Sequence, residues 1–133
     1  MDLQTLLERA FALHQNGRRD EAGPLYLQVL QDAPENFTAR LLLGILRNEQ
    51  GRHGEALELI GAALAIHPDS DLALLNHGNV LAAMGRQEEA LASYDSALAL
   101  NPASADILNS RGLLLLHMEQ PIAARWATRP GRR

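Results

Sequence analysis

His14, His53, His67, His77 and His117 have the widest chemical repertoire in this chain, and their spacing does not assemble a site. A helix-borne metal site needs two imidazoles one turn apart with an acidic companion. No two of these histidines stand at i, i+4. His77 falls on a packing position, where a hydrogen-bonded core role is expected. Glu88 and Glu89 open a helix, where negative charge meets the positive end of the helix dipole. The sequence contains no Gly-rich phosphate loop, nucleophile elbow or paired-carboxylate motif. With no cysteine, it also lacks thiol nucleophiles, zinc–thiolate ligands and disulfides. The expectation is a non-enzyme with no cofactor and no bound metal.

Recognition is the chemistry that the spacing does favour. Leu7, Leu41, Leu75 and Asn109 recur every 34 residues. Phe11, Ile45, Asn79 and Leu113 form a second ladder at the same interval, and His14, Asn48, Ala82 and Leu116 a third. These positions alternate with the small and apolar packing residues, so they face another direction. Two readings are open: a largely apolar binding surface, or packing within a stack or beneath an intramolecular helix.

The elements that carry these ladders repeat as well. Gly44, Gly51, Ala56, Ala63 and Pro68 recur as Gly78, Gly85, Ala90, Ala97 and Pro102, again 34 residues apart. Gly17, Ala22, Pro34 and Gly112 share the register. A fixed period of this length means stacked units, none able to bury its apolar face alone. Apolar periodicity predicts helices over 2–16, 19–32, 36–50, 53–66, 70–84, 87–100 and 104–118. Asp2, Asn36, Ser70 or Asp71, and Ser104 are the expected N-caps. Gly85 suits a left-handed turn, and Asn101-Pro102 ends a helix. Short connections make neighbouring helices antiparallel. Gly44, Gly78 and Gly112 sit inside helices, where Gly costs about 1 kcal/mol relative to Ala. A recurring cost implies a helix crossing close by, with Ala56 and Ala90 on its opposite side.

These residues resemble the tetratricopeptide repeat family. The third unit reads Leu74, His77-Gly78, Leu81, Ala90, Tyr94, Pro102. The second reads Arg40, Leu43-Gly44, Arg47, Ala56, Ile60, Pro68, and the first Leu6, Arg9-Ala10, Leu13, Ala22, Tyr26, Pro34. The fourth begins with Leu108, Arg111-Gly112 and Leu115 and fades after His117. The resemblance implies an all-α, right-handed superhelical solenoid of antiparallel helix pairs, about three and a half repeats long. Its units lie near 3–36, 37–70, 71–104 and a partial 105–120, within a domain over 1–120. It also implies that the ladders line a concave groove holding a peptide or helix of a partner protein. The groove residues would be Leu7, Phe11, His14, Leu41, Ile45, Asn48, Leu75, Asn76, Asn79, Asn109, Leu113 and Leu116.

The departures narrow this reading. Arg40 and Arg47 replace large apolar residues, where their stems can cover apolar surface. Pro24 falls in the early turns of its helix, and Glu119 replaces a turn Gly just before Pro121. Chaperone-binding members use a clamp of Lys, Asn and Arg. The equivalent places here are Leu7, Phe11, Leu42, Leu72 and Asn76 or, shifted one unit, Leu41, Ile45, Asn76, Asp106 and Ser110. Only Asn76 matches, so capture of a terminal carboxylate is not expected. Asn76 also resembles a rung of the asparagine ladder of O-linked N-acetylglucosamine transferases. The repeat region of a larger glycosyltransferase is therefore the alternative reading.

Charge and composition set the remaining bounds. Residues 1–120 hold 8 Arg against 16 acidic residues, whereas 121–133 hold 4 Arg and no acid. An acidic body argues against nucleic acid, which needs a basic face. No apolar run approaches a membrane span and no signal segment is evident, so a soluble cytoplasmic location is expected. Residues 121–133 read as a short degenerate helix or a basic tail. Leu113 to Leu116 give the seventh helix apolar surface on every side, so the sequence also suggests a homodimer through that helix.

Overall fold

The computed structural model describes the backbone of residues 2–128 and the side chains of residues 2–119. The described residues form α1 (Leu3–Gln15), α2 (Arg19–Asp32), α3 (Phe37–Glu49), α4 (His53–Ile66), α5 (Asp71–Ala83), α6 (Gln87–Leu100) and α7 (Ala105–Thr128). The first six pack as the antiparallel pairs α1–α2, α3–α4 and α5–α6. Each pair stacks on the next through α2–α3, α4–α5 and α6–α7.

Local chemistry sets the helix starts. At the beginning of α1, α3, α5 and α7 a side-chain oxygen accepts the backbone N–H three residues on. These bonds are Thr5 N to Asp2 at 2.7 Å, Ala39 N to Asn36 at 2.9 Å, Ala73 N to Ser70 at 3.1 Å and Ile107 N to Ser104 at 3.3 Å. Each satisfies one of the N–H groups that a helix leaves unpaired. The even-numbered helices begin differently. Gly17, Gly51 and Gly85 take φ of 80°, 79° and 78°, the left-handed region that side chains disfavour. Arg18, Arg52 and Arg86 follow, and each pairs with the glutamate three residues on, Glu21, Glu55 and Glu89. Such exposed pairs contribute little individually.

The core consists of three clusters, each drawn from three consecutive helices. Leu6, Leu7, Ala10, Ala22, Tyr26, Val29, Ala39, Leu43 and Leu46 join α1, α2 and α3. Leu41, Ala56, Ile60, Ala63, Ala73 and Val80 join α3, α4 and α5. Leu75, Leu81, Ala90, Tyr94, Ala97, Ile107 and Leu114 join α5, α6 and α7. A Cβ on Gly44 would lie 2.5 Å from Ile60 Cγ1, and one on Gly78 would lie 2.6 Å from Tyr94 Cε1. The close crossings inferred from these glycines exist, and the large residue of the following helix makes them rather than Ala56 or Ala90. At Gly112 nothing lies within 4 Å, so no crossing occurs there.

Arg47 shows why charge is accepted at an apolar position. Its side chain is only 12% exposed, with its head on Glu55 at 3.4 Å and on Gln50 at 2.8 Å. A Cβ on Gly23 would come within 3.4 Å of that guanidinium, so the glycine leaves room for it. Pro24 lies inside α2 without interrupting it.

The end of the chain differs from expectation. The sequence predicts that the seventh helix stops near residue 118, but α7 continues to Thr128. Glu119 stands where Gly17, Gly51 and Gly85 make the turn. A left-handed conformation costs a side-chain-bearing residue roughly 1–2 kcal/mol, so the helical path is preferred. Pro121 lacks an N–H and forfeits one backbone hydrogen bond, yet the helix runs on through it. Residues 129–133, part of the segment read as a basic tail, lie outside the described residues.

The stack has an inner and an outer layer. Helix α1 touches α3, α3 touches α5 and α5 touches α7, whereas α2, α4 and α6 do not approach one another. The odd-numbered helices therefore line the concave side.

Candidate partner-binding groove

The structure separates the three ladders. Leu7, Leu41 and Leu75 keep only 9%, 3% and 8% of their surface, each within the cluster that ties its pair to the next odd-numbered helix. The packing alternative holds for this ladder, and its leucines offer a partner no surface. Asn109, in the same register, is exposed because no further pair covers it among the described residues.

One turn further on, the side chains reach the concave surface. Phe11 is 40% and Leu113 67% exposed, while Ile45 and Asn79 are partly covered. In the third ladder His14 is buried, Asn48 is half-buried and Leu116 is 54% exposed. Asn76 is half-buried, and its Nδ2 donates to the Leu72 carbonyl at 2.9 Å.

Two open hollows lie between neighbouring inner helices. One of about 330 Å³ separates α1 from α3 and is lined by Phe11, His14, Arg19, Leu42, Ile45 and Glu49 among others. The other, about 500 Å³, separates α5 from α7 and is lined by Asn79, Ala82, Ser110, Leu113, Leu116 and His117 among others. The sequence reading of the ladders omitted Leu42. Its register, one residue after Leu41, was the available signal.

Hydrogen bonds fix the polar groups of this face. His14 Nδ1 lies 3.1 Å from the Tyr26 hydroxyl, and its Nε2 lies 2.7 Å from Glu49 Oε1. An imidazole protonated on Nε2 accepts from Tyr26 and donates to Glu49. Arg19 Nε donates to the same carboxylate oxygen at 3.0 Å. Burial, reinforced by the Glu49 charge, pushes the Tyr26 phenol from 10.0 up to about 12. Asn48 Oδ1 lies 2.6 Å from His53 Nδ1, and Asn79 Oδ1 accepts from the Tyr94 hydroxyl at 2.7 Å. The Tyr94 phenol is likewise raised by burial. His77 Nδ1 lies 3.0 Å from Ser93 Oγ, in the hydrogen-bonded packing role expected of it. Burial lowers its pKa, and the Arg86 charge adds to that. Among the described residues no buried side-chain polar atom lacks a partner, and no three His, Asp or Glu side chains group as metal ligands. No helix among them is long and apolar enough to cross a membrane.

Stacked antiparallel pairs with three equivalent clusters and a partly apolar inner face define an all-α superhelical solenoid. Residues 13–76 match the family described as tetratricopeptide repeat, and residues 78–118 match that described as TPR repeat. The chain belongs to the tetratricopeptide repeat family. No curated protein matches it. Among solved structures, an O-GlcNAc transferase mutant from Thermobaculum terrenum is 33% identical with a TM-score of 0.83, over 85% of this chain and 22% of that one. The chain thus spans about a fifth of that protein. The Sgt2 TPR domain from Aspergillus fumigatus is 21% identical with a TM-score of 0.84, over 97% of this chain and 85% of that one. The first TPR of Spaghetti, bound to an HSP90 peptide, is 20% identical with a TM-score of 0.82, over 87% of this chain and 94% of that one.

Proposed function

We propose that this chain is a protein-interaction scaffold whose concave face holds an apolar or amphipathic peptide or helix of a partner protein, with no catalysis of its own. The supporting observation is the pair of hollows on that face, flanked by the exposed Phe11, Leu113 and Leu116. Full burial of a large apolar side chain contributes about 1.5–3 kcal/mol. Phe11, Leu42, Ile45, Leu113 and Leu116 are already partly covered, so about 1 kcal/mol each is the realistic gain. That sum barely offsets an association cost of at least ~4 kcal/mol. Polar contacts from Asn76 and Asn79 must add the remainder. Asn76 retains its carbonyl oxygen and Asn79 its amide N–H groups for this purpose.

Affinity capture from the native lysate, followed by mass spectrometry, tests the groove. A defined partner is expected with the wild type. Phe11→Asp combined with Leu116→Asp should lose it while circular dichroism stays unchanged. A partner retained by that variant overturns the reading. Leu41 and Leu75 are unsuitable probes, because substituting them attacks the core.

A second reading rests on the 33% identity to part of the O-GlcNAc transferase. Under it, these repeats are the partner-selecting region of a larger glycosyltransferase. A reading frame that continues past Arg133 into a catalytic domain would favour it.

A further inference from the structure

In the first three units, the face that each odd-numbered helix turns towards its own partner is covered: Leu6 and Ala10 in α1, Leu43 and Gly44 in α3, Gly78 and Leu81 in α5. The same register in α7 is Leu108, Gly112 and Leu115. Here Leu108 is 49% exposed, Leu115 is 37% exposed and Gly112 has nothing within 4 Å. The opposite face of α7 is normal, with Ile107 and Leu114 buried against the preceding pair. Helix α7 does not turn back at residue 119 to supply a covering helix. It continues to Thr128, a length of 24 residues or about 36 Å at ~1.5 Å per residue. Along it, Leu108, Leu115 and Ile122 follow at seven-residue intervals. That is the spacing of a helix seam that packs on a second helix.

We propose that α7 of a second copy covers this seam, antiparallel and about a two-fold axis at Leu115. The register and the charges single out this occupant. With the axis at Leu115, Leu108 stands opposite Ile122 of the second copy and Gly112 opposite its Met118. The smallest residue thus meets a flexible one. Arg111 stands opposite Glu119, so each seam brings two opposite-charge pairs together. Asp106, in the first turn of α7, comes alongside Arg125 near the end of the other copy. The seam is self-complementary in both size and charge, as an isologous two-fold contact requires. Arg111 already donates to Asp95 at 2.7 Å, and its remaining N–H groups can serve Glu119. Such a contact closes on itself and yields a dimer rather than a fibre. It also leaves the concave hollows on the other side of α7 open.

Sedimentation of the full chain tests the proposal. Wild type should sediment at twice the chain mass of 14.5 kDa, and Leu115→Glu at the chain mass with unchanged circular dichroism. Leu108→Glu is the second variant and should behave in the same way. The chain has no native cysteine, so Leu115→Cys should cross-link to itself on mild oxidation, whereas Leu27→Cys, exposed on α2, should not. Wild type sedimenting as a monomer from micromolar to millimolar concentration overturns the proposal. So does a dimer that survives both glutamate substitutions. Neither result bears on the groove, whose test uses Phe11 and Leu116.

Discussion

Gly78 and Gly112 occupy equivalent positions one period apart, yet adding a methyl group to each should have opposite effects. At Gly78 the added Cβ would lie 2.6 Å from Tyr94 Cε1, 2.7 Å from Cδ1 and 3.1 Å from Cζ. The ring has no easy retreat, because Tyr94 is buried and its hydroxyl is held on Asn79 at 2.7 Å. Overpacking of this kind costs about 1–3 kcal/mol. Replacing a mid-helix Gly with Ala returns about 1 kcal/mol. The balance predicts that Gly78→Ala destabilises by about 1 kcal/mol. At Gly112 no atom lies within 4 Å, so only the propensity gain of roughly 0.5–1 kcal/mol remains and Gly112→Ala stabilises. Urea unfolding followed by far-UV circular dichroism measures both. Using a Leu115→Glu background keeps a second copy from covering Gly112. A Gly78→Ala variant as stable as its parent would refute the close-crossing argument. Equal destabilisation at both sites would show that α7 is covered in the single chain.

Four further outcomes follow from the same geometry. Leu41→Asp places a carboxylate in a side-chain site that is 3% exposed, so it should cost more than about 3 kcal/mol and reduce helicity, visible by circular dichroism without any partner. Asn36→Ala removes the cap on α3 and should lower stability by about 1 kcal/mol in the same unfolding assay. His77 has a lowered pKa in the folded chain, so the unfolded chain binds its proton first; stability should fall as pH drops below the ordinary value of 6.5, and His77→Gln should flatten that slope in a pH series of melting curves. Tyr26 has a pKa raised from 10.0 to about 12, so its contribution is intact below pH 10 and lost as pH climbs through about 12, and an ultraviolet titration should show its phenol ionising late.

Features set by neighbours in sequence were legible before the fold was known. Asp2, Asn36, Ser70 and Ser104 cap because a short polar side chain three residues ahead of an unpaired N–H is enough. Gly85 turns because only glycine enters the left-handed region without cost. The recurring Gly44 and Gly78 exposed the helix crossings because an otherwise unfavourable residue repeated. Even so, a periodic pattern names a face and not what lies against it, so the crossing residues Ile60 and Tyr94 were misassigned. The repeated Arg–Glu pairs at 18/21, 52/55 and 86/89 were present in the sequence but went unread.

The first ladder failed for a related reason, and that reason also explains the end of the molecule. Leu7, Leu41 and Leu75 stand one turn from Phe11 and Ile45, and helical periodicity treats all five as one stripe. What separates them is the next odd-numbered helix, which arrives 34 residues later and buries the leucines while leaving the concave edge open. Exposure in a solenoid is therefore decided by the following unit, not by the helix that carries the residue. In α7 that unit is missing among the described residues. Asn109 is exposed there although its register is buried three times earlier, and Leu108 and Leu115 are exposed although theirs is core. Glu119 decides this outcome locally. With glycine at that position the chain could have turned and supplied its own covering helix; with glutamate it continues as α7, and the uncovered seam extends with it.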